Sequence, residues 1–104
     1  HEIYKNQFFF TSLAYTASKS GLIGLTKWIA AKYAKDKLTC NMLSPSGVFN
    51  NQNKLFLKEY TKLLPIGRMA TKSEIYGLLK FLISEESNYI NGQDILIDGG
   101  FSSW

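Results

Sequence analysis

Two short apolar runs decide what this chain can build. Leu38-Thr-Cys-Asn-Met-Leu43 and Asp94-Ile-Leu-Ile-Asp98 carry apolar residues on both faces. That is the pattern of strands covered by helices on either side, as in a parallel sheet. Each run stops at a break, Ser44-Pro-Ser-Gly47 after the first and Gly99-Gly100 after the second. Between them lie a short helical run, Lys54 to Lys62, and a longer one ending near Ser84. The longer one opens on the capping box Thr71-Lys-Ser-Glu74 and places Ile75, Leu78, Leu79 and Leu82 on one face. Parallel strands joined by a helical crossover form a right-handed unit, so the expected class is α/β. Two strands cannot cover a core alone, so the apolar faces of both need partners.

The chain has 104 residues, enough for one small domain. It starts His1-Glu-Ile-Tyr-Lys-Asn without methionine, and the expectation is a fragment of something longer. Residues 1–13 have no clear period. Phe8, Phe9 and Phe10 are consecutive and cannot share one helical face, so a loop or strand remnant is expected there.

From Ala14 to about Lys35 the period turns helical. Tyr15, Lys19, Leu22, Ile23, Thr26, Ile29, Ala30 and Tyr33 fall in one arc. Ala17, Gly21, Gly24, Trp28 and Ala31 fall nearly opposite. Glycine in a helix interior costs roughly 1 kcal/mol against alanine. Close approach of a second helix, from this chain or another subunit, offsets that cost. Tyr15 and Lys19 are four residues apart, one above the other on the helix. A phenol beside an ammonium can exchange protons. A positive charge at ~4 Å contributes about 1 kcal/mol in bulk water and about 4 at an effective dielectric of ~20. The pair therefore works only in a partly dry cleft. In open parallel sheets ligands gather at the carboxyl ends of strands, which makes Ser44 to Val48 the expected wall. Residues 49–70 are long and weakly patterned, as in a substrate lid or a plain connector.

Composition removes other classes. The net charge is +4, the lysines are spread over the length, and Arg68 is the only arginine. That describes a solvated surface and not a nucleic-acid face. Cys40 is the single cysteine, so no internal disulfide forms, in keeping with a reducing, cytoplasmic setting. No apolar stretch approaches the length of a membrane span, and no residue is assigned to a metal.

Several motifs in one order carry a resemblance. They are Tyr15-x-x-x-Lys19, Gly21-Leu-x-Gly24-Leu-Thr-Lys27, Asn41-x-Leu-Ser-Pro45, Pro65-x-Gly-Arg68-Met, and Gly92-Gln-x-Ile-x-Ile-Asp98-Gly-Gly100. From Tyr15 to Gly100 the chain resembles the C-terminal portion of the short-chain dehydrogenase/reductase family. The resemblance implies part of a doubly wound Rossmann-type parallel sheet, without its N-terminal strands and glycine-rich loop. It implies an oxidoreductase using NAD or NADP on a small-molecule carbonyl or alcohol, as a homodimer or homotetramer. Tyr15 would be the general acid/base. Lys19 would stabilise its phenolate and hydrogen-bond the nicotinamide ribose. Pro45, Ser46, Gly47 and Val48 would line the nicotinamide, with the Val48 backbone at its carboxamide.

Three departures stand out. Pro45-Ser46-Gly47 replaces the usual Pro-Gly. Asn50 stands where a threonine commonly reaches the cofactor phosphates. The glycine-rich loop, catalytic asparagine and catalytic serine of the family are absent, so the chain by itself is expected to be inactive. The serine's usual place falls on Glu2 or Ile3. Family members with an insertion before the tyrosine carry a segment similar to Glu2-Ile-Tyr4, and these include enzymes of bacterial surface-sugar and flagellin-glycan pathways. A sugar-derived substrate is the corresponding expectation. The competing reading is a non-catalytic dimerisation or interaction module, in which Tyr15 and Lys19 are incidental. A membrane-surface helix over 19–35 ranks last, because glycines occupy the face that should be apolar.

Overall fold

The computed structural model describes residues 5–103, with side chains from 14 to 103. The segment Glu2-Ile-Tyr4 and the terminal Trp104 lie outside the described residues. In order come α1 (Lys5–Tyr33), β1 (Met42–Pro45), α2 (Lys54–Thr61), α3 (Lys72–Leu82) and β2 (Asp94–Ile97). Short 3-10 turns follow α1, α3 and β2. The two strands pair in parallel, Met42 opposite Asp94 through Pro45 opposite Ile97. The architecture is the α/β one that the apolar runs imply.

Two boundaries differ from expectation by more than two residues. First, α1 reaches back to Lys5, where a loop was expected. No proline or glycine interrupts residues 5–20, and lengthening an existing helix requires no new nucleus. Three adjacent phenylalanines argue against a single buried face, not against a helix. Second, β1 is Met42–Pro45 and not 38–43. Its partner begins only at Asp94, so residues 38–41 have no strand beside them. The ladder also runs through the proline. Met42 and Ser46 donate their N–H groups to the Gln93 and Ile97 carbonyls, at 2.8 and 3.0 Å. Position 45 lies between those donors, so a strand N–H there would point away from β2. Proline loses nothing at such a place.

The capping box is present as read. The Thr71 hydroxyl accepts from the Glu74 N–H at 3.3 Å, and the Glu74 carboxylate accepts from the Thr71 N–H at 2.9 Å. The same carboxylate takes a bidentate pair from Arg68, at 2.8 and 2.9 Å. First that guanidinium, then the Thr71 N–H, holds the Glu74 carboxyl down at about 2, against an ordinary 4.5. A folded value below the unfolded one means stability present above pH 4.5 and lost as pH falls towards 2. The thermal midpoint of the full-length protein should decline across that window, and Glu74→Gln should flatten the decline. An equal decline in both proteins would exclude Glu74 as its source.

The inner stripe of α1 is Lys19, Ile23, Thr26 and Ala30, with Ala30 fully buried. Ile29 joins it, whereas Tyr15, Leu22 and Tyr33 of the expected arc are exposed. The opposite face is uncovered. Trp28 is exposed, and nothing lies within 4 Å of where a side chain at Gly21 or Gly24 would begin. The buried apolar residues among those described are Ala30, Leu64 and Met69. Among the described residues no helix is long and apolar enough to cross a membrane.

Candidate active site

One helix and one strand end form the site. Tyr15 and Lys19 occupy successive turns of α1, and Lys19 Nζ lies 6.0 Å from the Tyr15 ring centroid. The carboxyl end of β1 faces them. Together they line a cleft of about 180 Å³, with Ser18, Leu22, Met42, Leu43, Ser44 and Pro45 completing the wall. Complete ligand pockets run to roughly 300–1,000 Å³, so the described residues make one side of a site. Tyr15 accordingly stays 60% exposed. The low-dielectric condition for phenol–ammonium chemistry is met only when a further wall closes over it.

Ser44 is fixed from below. Buried at the strand end, its hydroxyl donates to Asp94 Oδ1 of β2 at 2.5 Å. A short charge-assisted bond of this kind holds its donor in one rotamer. Pro45 lines the Tyr15 cleft, whereas Ser46 lines a separate depression of about 110 Å³ with Arg68, Ala70 and Glu74. Of the cofactor residues expected from sequence, Tyr15, Lys19 and Pro45 line the cleft, Ser46 lines the other depression, and Gly47, Val48 and Asn50 line neither.

Past the strand, the chain is tied to the far end of the 49–70 segment. Val48 bridges Ala70 in parallel, through Phe49 N–H to the Ala70 carbonyl at 2.8 Å and Ala70 N–H to the Gly47 carbonyl at 2.9 Å. In such a bridge the N–H and carbonyl of Val48 itself face away from Ala70. The carbonyl accepts from Gln52 Nε2 at 2.9 Å, and Gln52 Oε1 accepts from the Asn50 N–H at 2.8 Å. Gln52 thus closes the loop that carries Asn50, whose side chain is exposed. Sequence reasoning missed Gln52, Ser18 and Asp94. Ser18 could have been found as the helix neighbour of Lys19. Gln52 and Asp94 act through contacts that no local pattern announces.

Comparison with known proteins identifies the family and the fold. The family model described as Enoyl-(Acyl carrier protein) reductase matches residues 4–102. The chain is 33% identical over 100 residues to the post-translational flagellin modification protein A of Campylobacter coli, covering 96% of this chain and 39% of that protein. It is 39% identical over 90 residues to a 3-oxoacyl-[acyl-carrier-protein] reductase of Buchnera aphidicola, covering 83% and 37%. Among solved structures it superposes on a short-chain dehydrogenase from Leptospira borgpetersenii with bound NAD+, at TM-score 0.77 and 41% identity, covering 85% of this chain and 35% of that one. The chain therefore spans somewhat over a third of the length of the proteins it matches. Its two parallel strands and their helices are a portion of the Rossmann-type fold of those proteins, and the chain belongs to the short-chain dehydrogenase/reductase family.

Proposed function

We propose that this chain supplies the tyrosine-helix portion of an NAD- or NADP-dependent oxidoreductase interconverting a carbonyl and a secondary alcohol. The observation that carries the reading is the cleft that sets Tyr15 and Lys19 against Ser44 and Pro45 at a strand's carboxyl end. The residues present fit a nicotinamide cofactor. Pro45 offers an apolar wall, Lys19 an ammonium donor for a ribose hydroxyl, and Val48 an N–H facing away from the lid. The cofactor, when bound, supplies hydride transfer. The remaining work falls to the chain. Tyr15 exchanges a proton at the substrate oxygen. Lys19 stabilises the phenolate that results. Ser46, Gly47 and Val48 form the backbone turn beside the carboxamide, and the Asn50 amide serves as donor towards the phosphates. Without a glycine-rich loop, the 104 residues by themselves are inactive.

The similarity to a flagellin modification protein supports a sugar-derived substrate. The uncovered Gly21/Gly24/Trp28 face supports a homodimer or homotetramer. The half-buried, unbridged Cys40 is in keeping with the cytoplasm. The test is oxidation of NADH and NADPH by the full-length protein with two probes, a nucleotide-linked keto sugar and a 3-oxoacyl thioester. Turnover of the sugar is expected. Strict preference for the thioester would remove the sugar assignment, and no turnover of either probe would remove the oxidoreductase reading.

A further inference from the structure

Glycines in this chain answer two different needs. Gly67, Gly92, Gly99 and Gly100 have φ of 81°, 76°, 60° and 91°, where a side chain is strained. Gly47 is not among the positive-φ residues, so its backbone does not require glycine. Its neighbour does. A Cβ at position 47 would stand 2.5 Å from Tyr60 Cε1, 2.9 Å from Cζ and 3.0 Å from the hydroxyl oxygen. The edge of the tyrosine ring fills the volume that any other residue would need.

Tyr60 is held there from two sides. Its hydroxyl lies close enough to the Ser46 side chain to interact with it. Phe56, one turn earlier on α2, stacks on the ring at 5.5 Å and 11°. The helix has little else to fix it. No residue of α2 is fully buried, and among the described residues no other helix or strand packs broadly on it. The loop is pinned below the helix by the Val48–Ala70 bridge and by the Ile66 N–H to Gly99 carbonyl bond at 3.0 Å, so α2 stands between two fixed ends. The Tyr60 contact falls two residues beyond Pro45, which lines the Tyr15 cleft.

We propose that Tyr60 is a positioning residue: seated in the notch that Gly47 leaves, its ring latches α2 to the turn that follows β1, and through that turn sets how tightly substrate is held against Pro45 and Tyr15. The statement about substrate rests on the oxidoreductase reading. The latch does not.

The test uses the full-length protein and four variants: Tyr60→Ala, Gly47→Ala, the double variant and Tyr60→Phe. Trypsin nicking at Lys54, Lys58 and Lys62, read by mass spectrometry, reports the lid, and the thermal midpoint controls for the fold. Nicking should accelerate about tenfold in Tyr60→Ala and in Gly47→Ala, and stay within about twofold of wild type in Tyr60→Phe. The double variant should be nicked no faster than Tyr60→Ala, because a Cβ at 47 then displaces nothing. Wild-type nicking in Gly47→Ala, or additive effects in the double variant, would overturn the latch. For whichever probe the protein turns over, Tyr60→Ala should raise KM about tenfold with kcat within about twofold, and Tyr60→Phe should restore KM. An unchanged KM beside faster nicking would overturn the substrate half alone. If wild type turns over neither probe, the oxidoreductase reading has failed and nicking still decides the latch.

Discussion

Tyr15→Phe in the full-length protein should lower kcat/KM roughly 100- to 10,000-fold, the span expected for loss of a general acid/base, with the thermal midpoint unmoved. The two halves of that result come from different features. Phenylalanine keeps the ring on the cleft wall and removes only the hydroxyl, so the loss falls on turnover and not on the fold. The hydroxyl is also the group on the cleft wall placed to give or take a proton beside an ammonium. Lys19→Met supplies the second arm. It should lower turnover and also weaken NADH binding, if one ammonium serves both the phenolate and a ribose hydroxyl as proposed. Measured side by side, the two variants separate proton transfer from cofactor contact. If the Phe variant keeps more than a tenth of wild-type turnover, Tyr15 is not the acid/base, whatever family the chain belongs to.

What could be read before the structure divides along a physical line. Periodicity and caps are local, and they gave the helix carrying Tyr15, the α2 run and the Thr71/Glu74 capping box. Strand bounds are not local. Leu38 to Asn41 have strand-like composition, yet β1 begins at Met42 because β2 offers no partner earlier. Pro45 was read as a stop, but its place in the ladder depends on which side β2 lies. The cleft was half legible. Tyr15 and Lys19 share a helix face by arithmetic, and the Ser44–Val48 bend was placed by a rule about strand ends. That Pro45 and Ser46 face different hollows depends on the chain bending at Ser46, just past the strand, which no local pattern announces. Gly47 was the least legible. Its reason for being glycine is an aromatic ring that arrives thirteen residues later in the chain.

Asn91→Ala should destabilise the full-length protein by about 2–3 kcal/mol, the cost of stranding two backbone groups away from bulk water. Asn91 sits where α1, the approach to β1 and the start of β2 converge. Its Oδ1 accepts from the Cys40 N–H at 2.9 Å, and its Nδ2 donates to the Ala30 carbonyl at 3.0 Å. Cys40 in turn accepts from the Gly92 N–H at 2.8 Å, and the Gly92 carbonyl accepts from Lys27 Nζ at 3.0 Å. Asn41 makes the reciprocal brace, donating to the Ile90 carbonyl at 2.9 Å and accepting from the Gln93 N–H at 3.0 Å. Two asparagines on neighbouring strand approaches thus hold one another's turns, which gives a physical reason for Asn41 and Gly92 in the motifs. Because both brace the same turn, the double variant Asn41→Ala/Asn91→Ala should cost less than the sum of the singles. Hydrogen exchange at the Cys40 amide reads the local event, and its protection should fall in Asn91→Ala before global unfolding sets in. The brace also fixes the inner face of α1 against the sheet, and with it the distance from Tyr15 to Ser44 and Pro45. Turnover should therefore drop at temperatures where Asn91→Ala remains folded, since misplacing a reacting group by about 1 Å costs on the order of 100-fold. Unchanged Cys40 protection in Asn91→Ala would show that the helix is held to the sheet by packing alone.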